Sequence, residues 1–103
     1  MTDSHLSNTS FLWVSAGLTV PEDKSPQTAS EELAKLRLAT IEEVGCFQFE
    51  VKPHNDNPRK FTLWEKWTDQ EALTQHFQEP HTLHYLSLEL TQVDYIEKLG
   101  DTL

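Results

Sequence analysis

Apolar and polar residues alternate with the two-residue period of a strand in several stretches of the chain, and helical spacing takes over between them. From Phe11 to Val20, Leu12, Val14, Ala16, Leu18 and Val20 share one parity, while Trp13 lies on the other side beside Phe11. That pattern predicts a strand with one face on a core. Pro21–Pro26, rich in proline and charge, reads as a loop. From Gln27 to Val44 the period is helical, with Thr28 placed as N-cap and Glu31 completing a capping box. Leu33, Leu36, Thr40 and Val44 form its inward stripe, Glu42 and Glu43 face water with the other charges, and Gly45 suits a helix C-cap. Cys46–Lys52 alternates again, with Phe47, Phe49 and Val51 on one side. The turn formers from Pro53 to Pro58 close a hairpin with a third strand, Arg59–Trp67. A helix from Asp69 to Gln78, a break at Pro80, a helical piece His81–Leu90 and a last strand Val93–Leu99 complete the pattern. Residues 1–9 are polar and aperiodic and read as a disordered tail ahead of one domain, 10–103.

The order β-α-β-β-α-β predicts an α+β, ferredoxin-like fold: one antiparallel sheet with helices packed on one face. Trp13 stands opposite the aliphatic row of the first strand, and Trp64 stands opposite Phe61 and Leu63 on the third. Both sheet faces therefore carry large apolar groups, and a second copy of the chain is the simplest cover for the outer one. A homodimer is expected.

Composition narrows the function classes. With 103 residues there is room for one core, and a domain of this size buries roughly 65% of its unfolded surface. A net charge of −9 disfavours nucleic acid and anionic membranes, which call for clustered Lys and Arg. There is no apolar run long enough to span a bilayer and no basic–apolar leader pattern at the N-terminus, so the cytoplasm is the expected location. The single cysteine, Cys46, allows no internal disulfide and reads as a small core residue. A small neutral or aromatic molecule is the expected ligand.

The candidate chemistry gathers in Phe61–Tyr85. Glu65 shares strand parity with Phe61, Leu63 and Trp67, so it points where its neighbours are apolar. There it either pairs with Arg59, Lys60 or a cation of a partner chain, or becomes a base of raised pKa. His76 lies on the inward helical stripe with Leu73 and Phe77, either as a base or as a core histidine bonded to a strand carboxylate such as Glu65. Trp67, Leu63, Phe77 and Tyr85 are candidate walls of a substrate pocket, Trp67 foremost. His81 and His84 fall on a surface or rim beyond Pro80, so no metal site is expected from the three histidines.

Trp64-Glu65-Lys66-Trp67, then Ala72-Leu73-Thr74-Gln75-His76, Pro80-His81 and Tyr85 resemble the antibiotic biosynthesis monooxygenase family, and Gly45-Cys46-Phe47 resembles its helix-to-strand turn. The resemblance implies a dimeric α/β barrel. It also implies oxidation of a small quinol or phenol by O₂ without a cofactor, with His76 as base, Glu65 as its orienter or a second base, and Trp67 as a pocket wall. The family also has members without such chemistry, and a small-molecule-binding or stress-related protein is the alternative. The haem-degrading branch would need a histidine near Leu86, with Ala16 and His76 at its other two positions, so haem is not expected.

Overall fold

A computed structural model describes residues 10–103; the expected tail, 1–9, lies outside the described residues. The elements follow in the order β1 (Leu12–Thr19), α1 (Pro26–Thr40), β2 (Cys46–Pro53), β3 (Lys60–Trp67), α2 (Gln70–His76), α3 (Pro80–Ser87) and β4 (Gln92–Leu99). All strand pairs are antiparallel and the sheet order is β2-β3-β1-β4, the ferredoxin-like arrangement. The sheet of one chain is open, with β2 and β4 at its edges.

The register decides what meets the helices. Val14 pairs with Glu65, Ala16 with Leu63 and Leu18 with Phe61 across β1–β3, while Phe49 pairs with Glu65 across β2–β3. Val14, Ala16, Leu18, Phe49, Phe61, Glu65 and Trp67 are all buried, so this is the face covered by the helices. Ala29, Leu33 and Leu36 of α1 close over it, joined by Leu73, Tyr85 and Leu90.

Several expectations change at the element ends. Helix α1 begins one turn earlier than the capping box implied. Ser25 is its N-cap, accepting a hydrogen bond from the Thr28 amide (3.1 Å), and Pro26 opens the first turn, where a missing N–H costs nothing. It ends at Thr40 with Ile41 as C-cap, not at Val44, and Val44 is fully exposed instead of lying on the stripe. Gly45 is therefore no helix cap. A side chain on it would collide with the Ala72 methyl, so its role is to let the turn before β2 approach α2. The second helical region is split at Pro80 as expected, but both pieces are shorter than expected, Gln70–His76 and Pro80–Ser87, and Pro80 opens α3.

The strand β2 carries a register shift between Cys46 and Gln48. The extra residue turns Phe47 to the outer face, against the expected alternation with Phe49 and Val51. There its ring meets Phe11 edge-on at 5.1 Å, and the Lys66 ammonium lies over the Phe11 and Trp13 rings at 4.3 and 5.0 Å. Trp13 and Trp64 stack at 5.3 Å on the same face, and the Tyr95 ring covers Gly17 where a side chain would not fit. The edge strand β4 is exposed along its whole length. No helix among the described residues is long and apolar enough to cross a membrane.

Candidate functional site

Between the inner sheet face and helices α2 and α3 lies a cavity of about 350 Å³. Its floor is apolar, formed by residues such as Val14, Ala16 and Leu63, and Glu65, His76 and Tyr85 project onto it as buried titratable groups. At its mouth, Phe77 is half-exposed at the end of α2, and Lys98 of β4 donates to Gln70 Oε1 (2.8 Å), tying the sheet edge to the helix.

Glu65 is positioned by the central strand β3, flanked on the sheet by Val14 and Phe49. Burial among these groups pushes its carboxyl up to about 7, although the Trp67 indole N–H, donating to Oε1 at 2.8 Å, works against the shift and the nearby Glu43 charge adds to it. The two cations of its own chain considered for it, Arg59 and Lys60, are engaged elsewhere. Arg59 donates to the carbonyls of Pro21 (2.7 Å) and Lys24 (3.1 Å), fastening the β1–α1 loop, and Lys60 donates to Thr19 Oγ1 (3.0 Å) on the outer face.

His76 ends α2, whose N-cap Asp69 accepts from the Ala72 amide (2.9 Å). Its ring packs against Trp67, Phe49 and Phe77 at centroid distances of 4.9, 5.6 and 5.3 Å. This burial lowers its pKa, the Glu43 carboxylate opposing the shift, so that a neutral imidazole is favoured. Its carboxylate partner is Glu43 rather than Glu65: Nδ1–H donates to Glu43 Oε2 at 2.7 Å, with Thr82 Oγ1 at 3.2 Å. A neutral imidazole with its proton on Nδ1 has its lone pair on Nε2. Among the described residues Nε2 has no protein hydrogen-bond partner, and His76 is one of the residues lining the cavity.

Two residues miss their expected places. Trp67 is completely buried and is not part of the cavity wall; it stands behind, holding Glu65 through its indole and His76 through its ring. His81 does converge with His76, through Nε2–H donating to the same Glu43 Oε2 at 2.6 Å. Glu43, read as water-facing, is the residue that sequence reasoning missed. Only its position beside Gly45, which admits the turn to α2, carried a trace of it. Leu63, Phe77 and Tyr85 border the cavity, and the Tyr85 hydroxyl bonds Thr91 Oγ1 at 2.8 Å.

Glu43, His76 and His81 offer one ligand atom each within 4.8 Å of one another, a set that replaces the three histidines weighed from sequence. The 2.6 and 2.7 Å separations are those of hydrogen bonds, shorter than the roughly 3.3 Å between donors placed about 2.0–2.1 Å from a tetrahedral ion. Haem is not favoured, since Leu86 borders the cavity where an axial histidine would be needed and His84 points toward Glu32 at 4.0 Å. The thiol of Cys46 is pushed up to about 11 by burial and is no nucleophile at neutral pH.

An open ferredoxin-like sheet, with an apolar cavity beneath its helices and buried acid–base groups on the cavity floor, defines a small α+β protein of ferredoxin-like fold. Residues 12–87 match antibiotic biosynthesis monooxygenase, and the chain belongs to that family. It is 35% identical over 89 residues to the uncharacterized protein YjcS of Bacillus subtilis, covering 86% of this chain and 85% of the relative. The solved structure of a protein YjcS superposes with a TM-score of 0.82 at 33% identity, covering 89% of this chain and 99% of that one. A crystal structure of an antibiotic biosynthesis monooxygenase shares the fold with a TM-score of 0.75 at 18% identity, covering 89% of this chain and 97% of the other.

Proposed function

We propose that the chain is a cofactor-independent monooxygenase that oxidises a small quinol or phenol with O₂. The observation that carries this reading is that two buried acid–base side chains, His76 and Glu65, border one apolar cavity, where burial disfavours the charged form of each. His76 Nε2 takes the phenolic proton, and the cavity keeps the resulting anion from water. The electron-rich anion is then the reductant for O₂. A quinol and O₂ give a hydroxyquinone and water, so all four electrons come from the substrate. Glu65, its carboxyl pushed up to about 7 by burial, is a second base, and Leu63, Phe77 and Tyr85 hold the ring. Trp67 acts from behind by orienting Glu65 and His76. The proposal includes a homodimer in the cytoplasm, the outer sheet faces of two chains closing an α/β barrel.

The test is oxygen uptake with a panel of reduced quinones and phenols. Wild type should consume O₂ above autoxidation, and His76→Ala should lose at least about 100-fold in kcat while keeping its thermal midpoint within a few degrees. Uptake no faster than buffer across the panel leaves the second reading, a small-molecule-binding protein whose cavity does no chemistry. That reading draws on the apolar character of the rest of the cavity floor, and tight binding of an unaltered phenol would support it.

A further inference from the structure

Glu43 and His81 do not face the cavity. They border a second depression of about 440 Å³, open to solvent, between the turn before β2, α2 and the start of α3. His76 lines the cavity and is bonded through Nδ1 to Glu43, which borders the depression, so this one hydrogen bond joins the two places. We propose that His76 and Glu43 form a proton exit from the cavity to this depression, with His81 as the group that holds Glu43 in line. The inference rests on His76 being the base of the reaction proposed above.

The geometry supplies each part. Glu43 Oε2 accepts the Nδ1–H bond at 2.7 Å, which fixes the tautomer that presents the Nε2 lone pair to a substrate. When the phenolic O–H bond breaks, the proton joins Nε2 and the ring becomes an imidazolium. Its Nδ1 proton then passes to Glu43 Oε2, restoring a neutral ring, and Glu43 releases that proton to solvent in the depression. No electrons move in these steps, and the net change is one proton carried outward. His81 Nε2–H, at 2.6 Å from the same oxygen, immobilises the carboxylate. Placement of Glu43 depends on the turn, whose Gly45 carbonyl accepts from the Thr68 amide (2.9 Å) and hydroxyl (3.3 Å) at the β3–α2 junction. Glu43 is thus a positioning residue that also conducts.

Long-range ¹H–¹⁵N NMR of the histidines tests this without any substrate. Wild type should hold His76 as the neutral Nδ1–H tautomer at pH 7–8, with a downfield, slowly exchanging Nδ1 proton. Glu43→Leu removes the acceptor and should convert His76 to Nε2–H. If that variant does not fold, Glu43→Gln, which keeps the volume, should move the Nδ1 proton upfield. An Nε2–H tautomer in wild type, or a His76 signal indifferent to both variants, overturns the proposal. So does stoichiometric Co²⁺ broadening both His76 and His81, which would make the cluster a metal centre. With an active substrate, Glu43→Gln should lower kcat about 10- to 100-fold with KM unchanged, His81→Ala less. Because the tautomer is read without turnover, absence of oxygenase activity would sink the proposed reaction and leave the positioning claim separately decided.

Discussion

At the residue scale, Glu65 and His76 pull stability in opposite directions with pH. Glu65 is raised from an ordinary 4.5 to about 7, so between those values the folded chain binds a proton that the unfolded chain has lost. Its contribution is favourable near pH 4 and declines as pH rises through 7, by on the order of 3 kcal/mol in all. The Glu65→Gln variant keeps an acceptor for the Trp67 indole without the charge. Urea midpoints should therefore match wild type near pH 5 and exceed it at pH 8; an equal offset at both pH values would contradict the assignment. His76 has the reverse sign. Its pKa lies below the ordinary 6.5, so the unfolded chain takes up a proton first as pH falls, and stability is lost toward acid. The candidate site is thus most comfortable where a protonated carboxyl and a neutral imidazole overlap. Glu65 was legible in the sequence because strand parity places it among Phe61, Leu63 and Trp67. Its partner was not, because Arg59 and Lys60 are neighbours in sequence but reach loop carbonyls and the outer face.

At the element scale, the short segment between α1 and β2 has a consequence out of proportion to its length. Ending α1 at Thr40 leaves five residues to turn toward α2, and the missing side chain of Gly45 lets them touch Ala72. That contact sets Glu43 on His76. Gly45→Ala forces a methyl against the Ala72 methyl, which its own helix holds in place, and should cost about 1–3 kcal/mol in denaturant unfolding. The same variant should weaken the downfield Nδ1 proton signal of His76 as the turn is pushed away; an unchanged signal and midpoint would show that the turn accommodates the methyl without moving Glu43. The helical stripe of Leu33, Leu36 and Thr40 was legible from period alone, as were all four strands to within a residue or two. The end of α1 was not, since Glu42, Glu43 and Val44 continue a helical pattern that local propensity does not interrupt.

At the scale of the whole molecule, one sheet face is buried under helices and the other carries Trp13, Trp64, Tyr95 and the Phe11–Phe47 pair around Lys66. Leu99 of the edge strand β4, paired with Trp13 and 43% exposed, and Phe47, 59% exposed, extend the apolar area of that outer face. Sedimentation at micromolar concentration should give about twice the 11.9 kDa chain mass. Trp64→Glu, which places a charge at the centre of the outer face, should shift the protein to monomers without loss of helical signal. A wild-type species at the monomer mass would remove the dimer from the proposed function.

Period and order alone determined the fold class, because alternating and helical spacings report which side of each element is buried. The motif residues around Trp64–Trp67 and His76 likewise identified the family. Tertiary structure decided the partnerships: Trp67 as support rather than wall, Phe47 turned outward by a register shift, and Glu43 and His81 joined to His76. The Glu43 contacts join residues 33 and 38 positions apart through a glycine-permitted turn, Phe47 follows a bulge, and Trp67 follows where the helices leave space, none of which a local period encodes.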